Sequence, residues 1–204
     1  MKIKLCGFTQ ETPLKAAIQA KVDFIGFVFH ENSPRNLEIP AARNLAKIIP
    51  SNIAKVSVTV NASIEKLNRI YNALTPQYFQ LHGNESIEEI VAIKKQFPKV
   101  KIIKAFAICS KEDLAQITLY EDFVDHILLD NKNPGSGQSF DLSLIKDLKT
   151  KNDWFLSGGI NCNNVIDMIA RTNAPMIDVS SGIEEIKGKK SVALINKLTT
   201  IVKK

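Results

Sequence analysis

The sequence has few cysteines. Its 204 residues include only three, Cys6, Cys109 and Cys162, which are odd in number, far apart in the chain and outside any CxxC pair. Neither a disulfide framework nor a zinc site is therefore indicated. This usage is typical of a reducing compartment, and we expect a cytoplasmic protein.

Long apolar runs are also missing. The first twenty residues, MKIKLCGFTQETPLKAAIQA, are interrupted by polar and charged side chains before an apolar core of the signal-peptide type can form. No run approaches the length that crosses a bilayer. The sequence thus predicts a soluble protein with no membrane partner.

Arginine is scarce, with four residues against 23 lysines, and no arginine-rich block or aromatic-interleaved basic stretch occurs. The formal net charge of +6 favours an anionic partner of some kind, whether a nucleic acid, a membrane surface or a phosphorylated metabolite. The lysines are scattered along helix-like segments beside acidic residues, as in SIEEIVAIKKQF. This distribution indicates solvated helix faces and not a nucleic-acid surface.

What the sequence does contain is a regular alternation of two kinds of segment. Short runs rich in Val, Ile and Phe read as strands: KIKLCGF, DFIGFVF, AKVSVTVN, YFQLHG, VKIIKAFAI, DHILLD, WFLSGG and MIDVSSG. A segment of helical periodicity follows each of them. The first helix is expected to start with Thr12 as cap and Pro13 at its first position, the second to be entered through Pro40, and DLSLIKDLK to form a helix after the sixth strand.

Eight strand-helix units without a linker or composition shift predict a (β/α)8 TIM barrel, formed as a single domain over residues 1–204. The 45% hydrophobic and 24% charged content is that of an ordinary globular protein. A doubly wound open sheet is the alternative. It usually has fewer strands, and its glycine-rich fingerprint after the first strand is missing here.

In such a barrel the active residues come from the carboxyl ends of the strands. The polar residues at these positions are Cys6, Arg35, Asn61, Gln80, His82 and Asp130. A buried cysteine is often only a small hydrophobe, but a thiolate within reach of a cation can act as a base. Asp130 follows apolar residues that would disfavour its charged form and keep it available as an acid, or it braces the loop that follows.

Three loops have the composition of a phosphate site: PGSGQSF, SGGIN and VSSGIE, after the sixth, seventh and eighth strands. Each alone marks no more than a turn, but barrels commonly hold phosphate after strands seven and eight. The predicted phosphate-binding residues are Gly135, Gly137, Gly158, Gly159, Ser180, Ser181 and Gly182.

His82 has no second histidine or carboxylate at ligand spacing, and His30 and His126 belong to other units. We therefore expect no metal site. A hydrogen-bonding or packing role at the mouth of the barrel is the interpretation for His82.

The ordered segments KLCGFT, GFVFHENSPR, QLHGNE, LLDNKNPGSGQSFD, SGGINCNNV and DVSSGIEEIKGKKS resemble the phosphoribosylanthranilate isomerase family of tryptophan biosynthesis, from one end of the chain to the other. The resemblance implies a stand-alone isomerase, a monomer or homodimer that works without cofactor or metal. The reaction would be the Amadori rearrangement of N-(5-phosphoribosyl)anthranilate to 1-(2-carboxyphenylamino)-1-deoxyribulose 5-phosphate.

By the same resemblance Asp130 is the general acid that opens the ribose ring and Cys6 is the general base that removes the proton from C2. Arg35 would hold the anthranilate carboxylate, Gln80 and His82 would contact the substrate, and the glycine-serine loops would take the phosphate. The chain departs from the family pattern at Ser57 and Thr59, where glycine and phenylalanine are usual, and at Pro134 and Leu142.

Two other functions remain open from the residues. One is another phospho-sugar barrel, such as an epimerase or a decarboxylase, which generally needs a metal or a lysine at a strand end. Only Lys104 stands near such a position. The other is a non-catalytic barrel that binds a phosphorylated metabolite.

Overall fold

Eight parallel strands run through the computed structural model, which describes residues 1–130, 141–146 and 148–203. They are β1 (Lys2–Cys6), β2 (Phe24–Val28), β3 (Ala54–Thr59), β4 (Tyr78–Leu81), β5 (Lys101–Ala107), β6 (His126–Asp130), β7 (Trp154–Leu156) and β8 (Met176–Val179). Each strand pairs with the next, and β8 pairs back to β1, so the sheet closes into a barrel. The predicted (β/α)8 TIM barrel is confirmed.

Helices surround the barrel. They are α1 (Glu11–Gln19), α2 (Ile39–Ala46), α3 (Ile64–Leu74), α4 (Ile87–Gln96), α5 (Lys111–Tyr120), α6 (Val165–Thr172) and α7 (Val192–Val202). Pro40 lies in the first turn of α2, as predicted. None of the helices within the described ranges is long and apolar enough to cross a bilayer.

The start of α1 differs from the prediction. The helix begins at Glu11 with Gln10 as its N-cap, so Thr12 and Pro13 are its second and third residues. Proline is tolerated there because the first four N–H groups of a helix have no partner within it. The prediction of Thr12 as cap was therefore wrong by two residues.

The helix predicted over DLSLIKDLK is also absent from the described part of that segment, which holds only a 3-10 helix, Leu142–Leu144. The side chain of Asp141 accepts a hydrogen bond from the N–H of Ser143 at 2.9 Å. Leu142 and Ile145 are both buried, and their spacing of three matches the period of a 3-10 turn. The apolar pattern here serves a tight turn and not an α-helix.

A hairpin that the sequence pattern did not predict lies between β8 and α7. Its strands, β9 (Glu184–Ile186) and β10 (Lys189–Lys190), pair antiparallel. Gly188 takes a left-handed φ of 87°, and a Cβ there would lie 2.7 Å from the carbonyl oxygen of Pro34. The hairpin thus packs closely on the loop that follows β2.

Aromatic and aliphatic side chains fill the inside of the barrel below its mouth. The Phe24 ring meets the rings of Tyr78 and Phe155 edge to face, with centroids 5.5 and 5.2 Å apart. The other buried members of this inner cluster are Cys6, Val56, Val58, Ile103, Ala105, Leu128 and Met176. The interior is therefore a packed floor, and the space above it opens at the carboxyl ends of the strands.

The unusual residues of β3 do not disturb that floor. Ser57 and Thr59 are fully buried and alternate with Val56 and Val58, which belong to the inner cluster, so the two hydroxyls face the helices. Neither hydroxyl has a hydrogen-bond partner among the described residues. The departure from the family pattern changes the packing behind the sheet and leaves the site floor apolar.

Candidate active site

A cavity of about 530 Å³ occupies the carboxyl end of the barrel. Nine of the predicted site residues line it: Cys6, Arg35, Gln80, His82, Asp130, Gly158, Gly159, Ser180 and Ser181. Gly135 and Gly137 lie outside the described residues. The strand-end rule therefore selected a set of side chains that the fold brings to one place.

Cys6 is the last residue of β1 and is a free, buried thiol. Gly26 on β2 makes room for it, since a Cβ at that position would lie 2.6 Å from Sγ. Burial raises the pKa of the Cys6 thiol, and the ammonium of Lys4 works against this rise. The thiol is thus both packed and placed beside a cation, so the two interpretations of its role are compatible.

The cation is itself buried inside the barrel. Lys4 has no exposed surface, and its Nζ donates a hydrogen bond to Oδ2 of Asp178 on β8 at 2.8 Å. Burial works to lower the pKa of Lys4, but Asp178 and the Cys6 sulfur hold it above its ordinary value. Lys4 therefore keeps its proton, and Asp178, which lines the cavity, carries the balancing charge.

Asp130, the last residue of β6, is held by polar neighbours. Gln80 Nε2 lies 2.9 Å from His82 Nδ1, and His82 Nε2 lies 3.4 Å from Oδ2 of Asp130. With the Gln80 amide placed this way, Nδ1 of His82 accepts and its proton sits on Nε2, facing the carboxylate. The hydrogen-bonding role predicted for His82 is what the geometry shows.

The apolar residues before Asp130 do not surround its carboxyl group as expected. Ile127 and Leu129 face outward into the cluster between the sheet and the helices, and Leu128 packs in the floor below. Successive side chains of a strand point to opposite faces, so an apolar run in the sequence need not desolvate the residue that ends it. Two strands, β7 and β8, separate Asp130 from Cys6 on the shorter way round the barrel.

Arg35 lines the cavity, and one edge of its guanidinium is already engaged. Its Nε and Nη2 donate to the two carboxylate oxygens of Glu184 at 2.7 and 2.8 Å. Burial works to lower the pKa of Arg35, but Glu184 raises it. Nη1 makes no hydrogen bond among the described residues, so this edge of the guanidinium is available for a ligand.

Glu184 also binds Lys190 within the hairpin, and Lys190 connects the hairpin to Ser180, the residue after β8. Its Oε1 accepts a hydrogen bond from Nζ of Lys190 at 2.7 Å, and Lys190 donates further to the carbonyl and hydroxyl oxygens of Ser180. Despite burial, the two cations lower the pKa of Glu184 to about 2. Ser180 in turn donates to the carbonyl oxygen of Cys6 at 3.1 Å. Cys6, Arg35 and the hairpin thus share one hydrogen-bonded network.

The turns after β7 and β8 meet at the cavity wall. Gly158 and Gly159 take left-handed φ values of 88° and 71°. The side chains of Asn161 and Asn164 donate to the carbonyl oxygen of Gly159 at 3.1 and 2.9 Å and fix the turn. Gly182 packs against this loop so closely that a Cβ would collide with the carbonyl oxygen of Ile160.

The helices that follow these two turns begin at different distances from them. The first residue of α6 lies six positions beyond Gly159, but α7 begins only at Val192, after the hairpin. Ser181 therefore has no helix start directly behind it. The backbone of the turns themselves is what lines the cavity.

Two strand-end residues take no part in this cavity. Asn61 braces the loop after β4, where its side chain accepts from the N–H of Asn84 at 2.8 Å. Lys104 lines a second cavity and pairs with Glu85 at 3.1 Å, while donating to the carbonyl oxygen of Gly83 at 2.7 Å. The lysine that the sequence pattern placed near the end of a barrel strand thus has its own buried partners. No group of three metal-ligating side chains occurs within the described part of the chain.

Sequence reasoning missed four charged residues of the site: Lys4, Asp178, Glu184 and Lys190. Lys4 and Asp178 sit inside strands, where no turn or glycine marks them, and they are 174 positions apart. The sequence did contain a hairpin signal for Glu184 and Lys190, because EEIKGKK places a glycine between two short alternating segments.

Comparison with known proteins agrees with this geometry. Residues 3–201 match the family model of N-(5'-phosphoribosyl)anthranilate isomerase. The isomerase of that name from Parvibaculum lavamentivorans is 36% identical, over 96% of this chain and 94% of its own length.

Solved structures agree as well. The phosphoribosyl anthranilate isomerase of Thermotoga maritima superposes with a TM-score of 0.91 and is 32% identical, over 100% of this chain and 98% of that chain. A phosphoribosyl anthranilate isomerase in complex with reduced 1-(o-carboxyphenylamino)-1-deoxyribulose 5-phosphate has a TM-score of 0.86 and 30% identity, with the same coverage. The chain therefore belongs to the N-(5'-phosphoribosyl)anthranilate isomerase family and is an aldose-ketose isomerase of tryptophan biosynthesis.

Proposed function

We propose that this chain converts N-(5-phosphoribosyl)anthranilate into 1-(2-carboxyphenylamino)-1-deoxyribulose 5-phosphate, with Asp130 as general acid and Cys6 as general base. One observation carries the assignment. The fold brings a carboxyl group from β6 and a thiol from β1 to opposite parts of a single cavity whose wall contains the glycine turns after β7 and β8. A proton donor and a proton acceptor on either side of a phosphorylated sugar are what an Amadori rearrangement requires.

In the first step Asp130 donates its proton to the ring oxygen of the ribose. The bond from C1 to that oxygen breaks, and the nitrogen lone pair forms a C1–N double bond, which gives a protonated Schiff base and the Asp130 carboxylate. His82 Nε2–H, 3.4 Å from Oδ2, stabilises the carboxylate as it forms. Gln80 holds the imidazole in the tautomer that can do this.

In the second step the Cys6 thiolate removes the proton from C2. The electrons of that bond form a C1–C2 double bond, and the C1–N π pair returns to the nitrogen. The resulting enol then loses its hydroxyl proton and gains one at C1, which leaves a ketone at C2. Each step moves a proton or shifts an electron pair within the substrate, so the proposal assigns the reaction neither a cofactor nor a metal.

In this proposal the substrate is bound by Arg35 and by the turns after β7 and β8. The outer edge of Arg35 takes the anthranilate carboxylate, since a guanidinium edge matches the spacing of two carboxylate oxygens. The turn residues Gly158, Gly159 and Ser181 take the phosphate through backbone N–H groups and one hydroxyl. That the protein works as a monomer or a homodimer remains a prediction.

The test is turnover of the fluorescent anthranilate substrate by variants of the two proton-transfer groups. Cys6→Ala and Asp130→Asn should each lower kcat by about 10² to 10⁴-fold, the usual contribution of a positioned acid or base. Substrate affinity should change little, because neither group is assigned to the carboxylate or phosphate. Near parental kcat in either variant would remove that residue from the mechanism. Cys109→Ala, at an exposed thiol outside the cavity, is the matched control.

A further inference from the structure

The most unusual group in the barrel interior is the lysine beneath the candidate base. Lys4 is one of the largest fully buried side chains, and it shares the inner face of β1 with Cys6, two residues away. Its ammonium donates a hydrogen bond to Asp178 on β8 at 2.8 Å, and its charge and that of a Cys6 thiolate favour each other. We propose that Lys4, anchored by Asp178, is a positioning residue that stabilises the Cys6 thiolate and so sets the pH range in which Cys6 can accept a proton.

Stability does not account for this lysine. A buried ion pair gains in Coulomb attraction about what it loses in desolvation, and well-packed apolar residues of similar size are often as stable or more stable. The surrounding cluster, which includes Phe24, Phe155 and Met176, is otherwise apolar. Because an apolar side chain would be at least as stable here, the charge of Lys4 is better explained by a role that an apolar side chain cannot have.

The partner carboxylate points to the same conclusion. Asp178 is 6% exposed, and its Oδ2 is bonded to Lys4, but its Oδ1 has no hydrogen-bond partner among the described residues. A purely structural buried pair is expected to satisfy both oxygens. Asp178 instead holds Lys4 through one oxygen, on the strand face that also carries Cys6.

The other charges around Cys6 cannot substitute for Lys4. Lys190 approaches from β10 and Arg35 from the loop after β2, but both are bonded to Glu184 and their fields at the sulfur are offset by it. Asp178 faces the thiol from β8, and Asp130 lies across the cavity. Among the described cations, Lys4 is the one that shares a strand face with Cys6, two residues away, and its charge opposes the effect of burial on the thiol pKa more than that of Lys190 does.

The experiment measures the ionisation of Cys6 in the free protein, without substrate. The rate of alkylation by iodoacetamide is followed from pH 6 to pH 10 by mass spectrometry of the peptide that contains Cys6, so the other two cysteines do not interfere. An opposite charge in contact lowers a thiol pKa by one unit or more, and a less acidic thiol is the stronger nucleophile. Lys4→Met should therefore slow alkylation at pH 7 by about three- to tenfold and move the profile to higher pH.

A second variant separates charge from structure. Asp178→Asn removes the anion that opposes the thiolate, so its alkylation profile should move to lower pH, opposite to that of Lys4→Met. A structural disturbance has no reason to shift the two profiles in opposite directions. Lys104→Met is the matched control, because it removes another buried lysine paired with a carboxylate, and it should leave the Cys6 profile unchanged.

The proposal requires both shifts. An unchanged profile in Lys4→Met, or shifts of the same sign in the two variants, would overturn it. If Lys4→Met does not fold, as judged by circular dichroism, Lys4→Gln takes its place, and its profile must also move to higher pH.

The catalytic part of this inference rests on the proposed function, whereas the alkylation measurement does not. If the protein is the proposed isomerase, the acid limb of kcat/KM should move to higher pH in Lys4→Met along with the alkylation profile. Opposite thiol shifts in a protein without isomerase activity would support the link between Lys4 and Cys6 and reject the reaction. Isomerase activity in the parent protein, together with unshifted thiol profiles in both variants, would support the reaction and reject the link between Lys4 and Cys6.

Discussion

Replacing Glu184 by glutamine should be one of the most damaging single changes near the site, although this residue has no assigned part in the chemistry. Its carboxylate joins Arg35 and Lys190, and only 4% of its side chain is exposed. The variant keeps the shape of the side chain and removes the charge. Two buried cations would then face each other without the anion between them.

The magnitude follows from the pKa of Glu184. In the folded protein that pKa is lowered from 4.5 to about 2. Each unit corresponds to about 1.4 kcal/mol, so folding favours the ionised form by about 3 kcal/mol. Because the folded pKa is the lower one, this stabilisation is complete above pH 4.5 and is lost as the pH falls towards 2.

The assay is urea unfolding followed by the fluorescence of Trp154, the sole tryptophan, at several values between pH 7 and pH 3. At pH 7 Glu184→Gln should lower the free energy of unfolding by about 3 kcal/mol, and this deficit should shrink as the parent is acidified. Glu185→Gln is the control, because Glu185 pairs with Lys189 at the surface and should change stability by less than about 1 kcal/mol. A deficit below 1 kcal/mol at pH 7, or one that does not change with pH, would refute the reasoning.

Three further changes test other parts of the structure. Thr59→Val removes a buried hydroxyl without a partner among the described residues and should stabilise the fold by about 1 kcal/mol in a thermal melt, whereas a lower melting temperature would show that the hydroxyl is bonded. Gly26→Ala pushes a Cβ to 2.6 Å from the Cys6 sulfur and should lower kcat by about 100-fold with an unchanged circular dichroism spectrum. Gly159→Val puts a branched side chain at φ 71° and should raise KM and weaken competitive inhibition by inorganic phosphate. If the variant and the parent bind phosphate with the same affinity, there is no phosphate site at this turn.

The barrel could be predicted because local and global signals agree along most of the chain. Each apolar strand segment is followed by a helical period, and serines at positions such as Ser63, Ser86 and Ser191 cap the helices that follow. The prediction failed where an apolar spacing suits two structures. Leu142 and Ile145 fit an α-helix and a 3-10 turn equally, and only tertiary packing decides between them.

The residues of the site, like the elements of the fold, were predictable from the sequence only in part. Cys6 and Asp130 could be found because they end strands, and the barrel gathers strand ends at one mouth. Lys4 and Asp178 could not be found in this way, because the two side chains meet only in the register that pairs β1 with β8. That register is set by closure of the barrel. A lysine in a strand is ordinarily taken as exposed, so the sequence offered no reason to place Lys4 beneath Cys6.

The charges of the site explain why the phosphate is assigned to glycine turns and not to lysines. Lys4 is bonded to Asp178, and Arg35 and Lys190 share Glu184, so two of the three buried cations are balanced by carboxylates within the described part of the cavity. In the proposed mechanism Asp130 holds its proton when the substrate binds, so it adds no charge at that stage. These buried side chains therefore leave one positive charge unbalanced, and Lys187 at the cavity wall is exposed, so they offer little buried charge to a substrate that carries both a phosphate and a carboxylate. Backbone N–H groups carry no countercharge and need no ionisation, which makes the turns after β7 and β8 the part of the wall best suited to an anion.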